Sequence, residues 1–291
     1  MNNPKFSKGL AGTDIKRSKL VKKSKLVPFI VLLLIAAVMI IPFLWAISGA
    51  LARDGRAIYN LEFFMPPFHW ENFSVVFTEF HFFKYLWNSL FLVVVCITGE
   101  LMSNSFIGFG MARYDFKGSR ILFLMALGTM FLPATVMSIP MYIIWNSLGF
   151  VNTYVPLIAG AFFGNGFNVF IMRQAFKSLP AQLYEAAFVD GANPLRIFWS
   201  IYLPLVKPML ATIAVFTFIG SWNNLFGPLI YITDQNKYTV ALALKFLQGA
   251  YVGSGHLILA AALITISPTI IIYAFAQKYF VNNMTAASIK G

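Results

Sequence analysis

Residues 183–208 read LYEAAFVDGANPLRIFWSIYLPLVKP and lie between two long apolar runs. Pro180, just upstream, suits the first turn of a helix, where its missing N–H costs no bond. Good helix formers follow from Ala181 to Val189, and Gly191 supplies a flexible turn position. Asn193 followed by Pro194 reads as the N-cap and first position of a second helix. Leu195, Phe198, Ile201 and Tyr202 recur at helical spacing, so that helix has one apolar face, and Pro204 is expected to end it. Two short helices with apolar faces do not stand alone in water. Either the chain's own bundle or a separate protein must cover them.

The flanking sequence defines the bundle. Of 291 residues, 59% are hydrophobic and 11% charged, with a mean hydropathy of +0.73. A soluble domain is about 45–50% apolar and about 25% charged, so this is a polytopic membrane protein of the all-α class. Six transmembrane helices are expected at 28–50, 87–111, 121–145, 154–176, 205–232 and 257–279, each near the ~20 residues needed to cross a bilayer. The first run, Val27 through Leu51, is longer than the ~7–15-residue core of a secretory signal and reads as an uncleaved span. Pro133 and Pro140 punctuate the third.

Charge sets the orientation. Lys5, Lys8, Lys16, Arg17, Lys19, Lys22, Lys23 and Lys25 precede the first span. Arg113, Lys117, Arg120, Arg173, Lys177, Arg196, Lys207, Lys278 and Lys290 fall on the same side. Only Arg53, Arg56, Lys84, Lys237 and Lys245 fall on the other, so both termini are expected in the cytoplasm. The net charge of +12 thus reports topology and contact with anionic lipid, and nucleic-acid binding is set aside. The organisation that follows is a basic cytoplasmic tail (1–27), then the first helix with an external aromatic segment (28–86). A body of five helices with a cytoplasmic loop at 177–204 comes next (87–280), then a C-terminal cytoplasmic tail (281–291).

No catalytic machinery is legible. There is no G-x-x-x-x-G-K-[ST] phosphate loop. His69, His81 and His256 are scattered, and with the single Cys96 they give no metal framework and no disulfide. Polar residues within spans are the other candidates. Glu100 falls mid-span, where an ionisable group faces protein or water; Asn104 lies one turn on, along the same face. Glu100 reads either as a helix-locking group or as an acceptor for a solute hydroxyl in a translocation path. In "GSWNNLFGP", Trp222, Asn223 and Asn224 sit between Gly220 and Gly227-Pro228, an interrupted helix of the kind that exposes a binding surface. Trp can stack on a sugar and Asn can bond its hydroxyls, or Asn can tie helices together. Asn165 and Asn168 in "GNGFN" are similar, weaker candidates.

The quoted loop resembles the signature of the inner-membrane subunits of bacterial binding-protein-dependent ABC importers: E-A-A, three residues, G, nine residues, I, one residue, L-P. Glu185, Ala186, Ala187, Gly191, Ile201, Leu203 and Pro204 keep every spacing, with Asp190 beside the glycine. "NSLFLVVV", "ARYDFKG", "SIPMYIIWNSLGFVNTY", "FNVFIMRQAFKSLP", "SWNNLFGPLIYI" and the terminal "IKG" are similar to the carbohydrate-uptake branch, near the maltose-type second permease subunit. The resemblance implies a type I ABC importer transmembrane fold in the bacterial inner membrane. It also implies partners: a second permease chain, two cytoplasmic nucleotide-binding subunits that carry ATP and Mg, and an extracytoplasmic solute-binding protein. The first loop helix would dock into an ATPase subunit, Lys290 and Gly291 would lie at that interface, and the solute would be a sugar or oligosaccharide. A glycerol-phosphate-type importer of the same branch and a proton-coupled transporter using Glu100 are the competing readings.

Overall fold

The structure is a computed structural model and describes residues 5–54, 66–251 and 253–288. Lys290 and Gly291 lie outside the described residues. Helix α1 (Lys5–Ala50) runs unbroken from the basic segment into the first apolar run, through the boundary expected at residue 27. Its Leu26–Ala50 stretch has a mean hydropathy of 3.0 and buries none of its most apolar window in the protein. In the aromatic segment, α2 (Glu71–Thr78) closes the end of α1. Asn72 Nδ2 donates to the carbonyls of Ala50 (2.8 Å) and Ala52 (2.9 Å), which have no partner further along the helix.

His81, in left-handed backbone at φ 51°, turns the chain into α3 (Phe82–Arg113), which starts at Phe82 and not at 87. The expected third span is two helices. Ser119–Gly128 (α4), extended by a 3₁₀ turn to Phe131, meets Ala134–Ser147 (α5) at 103°. The break falls at Leu132–Pro133, because the residue before a proline is driven out of helical geometry. Pro140, by contrast, is carried inside α5. The fourth span is assembled from α6 (Val155–Ile158), a 3₁₀ turn (Ala159–Phe162) and α7 (Gly166–Lys177).

The loop at 177–204 follows as α8 (Gln182–Val189) and α9 (Pro194–Ile197), a π turn (Phe198–Tyr202) and α10 (Leu203–Leu205). Pro204 does not end the second arm as expected. The wide turn just before it opens the ladder where the proline ring would meet the carbonyl of Ser200, and the helix closes only at Val206. The chain bends there by 79° into α11 (Lys207–Trp222). The fifth apolar run is interrupted at Asn223–Leu225 before α12 (Phe226–Tyr231), as its glycines suggested. A further helix that periodicity did not reveal, α13 (Val240–Ala250), precedes α14 (Gly255–Ser288).

Among the described residues, four helical stretches are long and apolar enough to cross a membrane, and six if each bent pair is one span. At the centre stands α3, packed against α7 and α11, while α14 packs against α1 and α11. The α3–α7 approach is close because Gly108 has no side chain: a Cβ there would meet Met172 Cβ at 2.7 Å and Arg173 N at 3.0 Å. Two buried clusters mark the ends of α3. One gathers Val76, Phe82, Val93, Trp222 and Val240; the other gathers Phe109, Met172, Phe176, Ile197, Phe198 and Tyr202. The outer faces of α1 and α5 expose residues such as Leu32, Val38, Ile139 and Ile143, a surface suited to hydrocarbon and not to water.

Candidate functional site

At the Arg113 end of α3, the two-armed loop is held by local chemistry that the residues dictate. Gly191 adopts φ 81°, a conformation costly for any residue with a Cβ. The Ala192 N–H donates to Ala187 O (3.0 Å) and the Gly191 N–H to Phe188 O (3.0 Å), the paired bonds of a Schellman stop. The second arm starts as its sequence requires, with Asn193 Oδ1 accepting from the Arg196 N–H at 2.8 Å and Pro194 in the first turn.

Helix α8 is two-faced. Ala187 and Tyr184 turn inward, whereas Glu185, Ala186, Phe188 and Val189 are exposed, Val189 at 85%. The outward side is thus a small apolar ridge with one carboxylate. Within the E-A-A triplet, two residues face out and the third packs. Asp190 is exposed at the stop, Ile201 and Leu203 are half-buried, and Pro204 is exposed.

The inward side roots in rings. Phe109 of α3 lies 5.6 Å from Phe176, 5.2 Å from Phe198 and 5.2 Å from Tyr202 in edge-on geometry, with Tyr184 at 6.4 Å. Such pairs add about 0.5–1.5 kcal/mol each beyond the area they bury. Just beyond α3, the Tyr114 hydroxyl meets that of Tyr184 at 3.1 Å. Burial, then this neighbour, pushes the Tyr114 phenol up to about 12.

Further along α3, the candidate pathway residues fall into two groups. Glu100 Oε2 accepts from Asn104 Nδ2 (2.6 Å) and Asn168 Nδ2 (2.9 Å). Asn104 Oδ1 accepts from the Asn165 N–H at 2.8 Å, and Asn165 Oδ1 caps α7 through Phe167 N and Asn168 N. Glu100 with Asn104, and Asn165 with Asn168, two pairs that the sequence left apart, form one network joining α3 to α7. Asn104 is fully buried and Glu100 half-buried.

The second group is the break after α11. Trp222 is buried: its indole N–H donates to Thr265 O (2.9 Å), and its ring stacks on Phe218 at 5.5 Å. In this conformation it holds α11 to α14. Asn223 and Asn224 are exposed. Asn224 Oδ1 accepts from the Gly227 N–H in the first turn of α12 (3.0 Å), and Asn223 Nδ2 returns to Ile219 O (2.9 Å). Among the described residues no group of three metal-ligating side chains occurs.

One residue that the sequence reading used only as an orienting charge has a role at this site. Arg113, the last residue of α3, donates through Nη2 to Phe176 O (2.6 Å) and Leu179 O (2.8 Å), and its guanidinium carbon stands 4.7 Å from the centre of the Tyr202 ring. Its signal was available: a basic residue in the final helical turn, followed by an aromatic in "ARYDFKG".

The family model described as binding-protein-dependent transport system inner membrane component matches residues 104–286. The arabinooligosaccharides transport system permease protein AraQ of Halalkalibacterium halodurans is 33% identical over 76% of this chain and 79% of its own length. The diacetylchitobiose uptake system permease protein NgcG of Streptomyces coelicolor is 28% identical over 89% and 87%. Among solved structures, a chain of a bacterial ABC transporter involved in import of the acidic polysaccharide alginate superposes with a TM-score of 0.77. It is 25% identical, over 88% of this chain and 95% of that one.

Proposed function

Because the chain belongs to the family of inner-membrane components of binding-protein-dependent transport systems, we propose that it forms half of a translocation pathway for an oligosaccharide, powered through α8 by a separate ATPase. Membership makes it a multi-pass permease subunit of an ABC importer and not itself an enzyme. The observation that carries the rest is the outward ridge of α8. Ala186, Phe188 and Val189 stand exposed on a helix whose other side is fixed by Ala187 and Tyr184 to the ring cluster. A ridge of this size gains by entering a cleft, and Glu185 beside it can take a charge-assisted bond from the cleft wall.

On this reading the Arg113 end of the bundle, the loop and both termini face the cytoplasm, as the lysine and arginine distribution supports. A second permease chain completes the route, and an external binding protein delivers the solute to the opposite mouth. Nucleotide-driven movement of α8 shifts the bundle between outward- and inward-open states by differential affinity. Asn223 and Asn224 at the break after α11 are the residues assigned to meet the solute. The Glu100 network is assigned to holding α3 and α7 together. A neutral sugar is favoured over a phosphate by the lack of Lys or Arg in the middle of the expected spans, and the named substrates of the AraQ and NgcG relatives support it.

The test is made on the purified assembly in proteoliposomes with its binding protein. Gly191→Asp, which strains the φ 81° turn, and Ala186→Trp, which blunts the ridge, are expected to leave insertion intact. Both should cut sugar uptake by about tenfold or more relative to ATP hydrolysed. Normal uptake in both variants rejects the docking assignment.

A further inference from the structure

We propose that Arg113 is the positioning residue that makes the two-armed loop move as one body with α3, so that a push on α8 reaches the membrane interior. The proposal rests on the reading of α8 as the docking helix. Three segments converge on this one side chain. Phe176 O belongs to the last turn of α7, and Leu179 O belongs to the short link between α7 and α8. Tyr202 lies in the π turn of the opposite arm, and the guanidinium carbon stands over its ring. Arg113 itself ends α3, the helix that carries Glu100 and Asn104. The α7–α8 link at 178–181 is the natural place for the loop to flex, because it is non-helical and joins two rigid pieces. A clamp on Leu179 removes that freedom.

The chemistry explains the residue type. A single nitrogen, Nη2, makes both carbonyl bonds while the guanidinium carbon stands over the ring. Lysine can reach a carbonyl but has no plane to stack, so it supplies part of the clamp only. Arg113 Nε and the Tyr202 hydroxyl are buried without a bond partner, which places the grip in the two carbonyl bonds and the ring contact.

The complete assembly carrying Arg113→Met is reconstituted with its binding protein, and uptake and ATP hydrolysis are measured on the same vesicles. A merely structural defect lowers both rates together by reducing the amount of active assembly. Loss of the clamp lowers uptake per ATP, by about tenfold, with Arg113→Lys intermediate. An unchanged ratio in both variants overturns the proposal, whether the rates stay normal or fall in parallel. Should Arg113→Met fail to assemble, the ratio in Arg113→Lys decides by the same criterion, and failure of both to assemble makes the residue structural and also overturns it. If the wild-type assembly shows no ATP-driven uptake, the docking reading fails first, and that outcome is separate from any result on Arg113.

Discussion

Glu100 is where two functional readings divide, and its partners decide how it behaves when changed. Both of its amide donors, Asn104 and Asn168, are buried, so Glu100→Ala strips Asn168 of its acceptor and leaves Asn104 only the backbone carbonyl of residue 100. The expected cost is ~1–2 kcal/mol, seen as a lower midpoint of thermal unfolding in detergent. Glu100→Gln keeps an acceptor oxygen and is expected to lose less. Uptake by the Gln variant should remain driven by ATP and indifferent to collapse of a proton gradient. A proton-carrying Glu100 would instead leave that variant unable to transport. The same scale shows what was legible residue by residue. Gly191 and Asn193 were placed correctly because their roles are local: one needs a left-handed φ, the other a free amide two or three positions on. Arg113 and Trp222 answer to neighbours more than 40 residues away, and no local rule discloses those.

At the level of elements, helix contact is set by what is missing as much as by what is present. Gly108 lets α3 lie against α7 with Met172 and the Arg173 backbone at its surface. Gly108→Ala, an addition of one methyl, should force the pair apart and destabilise the protein by ~1–3 kcal/mol, measurable as a fall in folded yield and in unfolding temperature. Gly110, two positions past the contact, has open space around it and should accept the same change without effect. The contrast separates crowding from a general intolerance of helix glycines. Sequence reading found most apolar runs but not their shape. Whether a proline breaks or merely rides in a helix depends on its surroundings, so Pro133 gives a 103° corner while Pro140 lies within α5. Helix α13 was missed because eleven residues are too few to register as a span and lay in a segment read as external loop.

For the whole molecule, the exposed apolar faces of α1 and α5 suit lipid or a second chain, and the proposed function gives the ridge of α8 a cytoplasmic one. The single Cys96 makes orientation testable. In a Cys96→Ser background, cysteine at Val189 should react with an impermeant thiol reagent only from the cytoplasmic side, and cysteine at Glu79 only from the other. Reaction of both from one side would invert or dismantle the topology. Affinity purification in mild detergent should then recover an ATP-hydrolysing subunit and a second permease chain with this one.

Helix α3 has 32 residues, so at 1.5 Å per residue it is about 48 Å long, against a hydrocarbon layer of about 30 Å. At its start, Lys84 Nζ reaches Asn236 Oδ1 (2.7 Å), Asn88 Nδ2 reaches Asn236 O (2.9 Å), and Ser89 Oγ accepts from Val240 N (2.8 Å). Its last residue grips the opposite extremity. On the proposed reading one stiff rod therefore links both ends of the pathway, like a camshaft, and a substitution beside Asn236 should be felt at the α8 end.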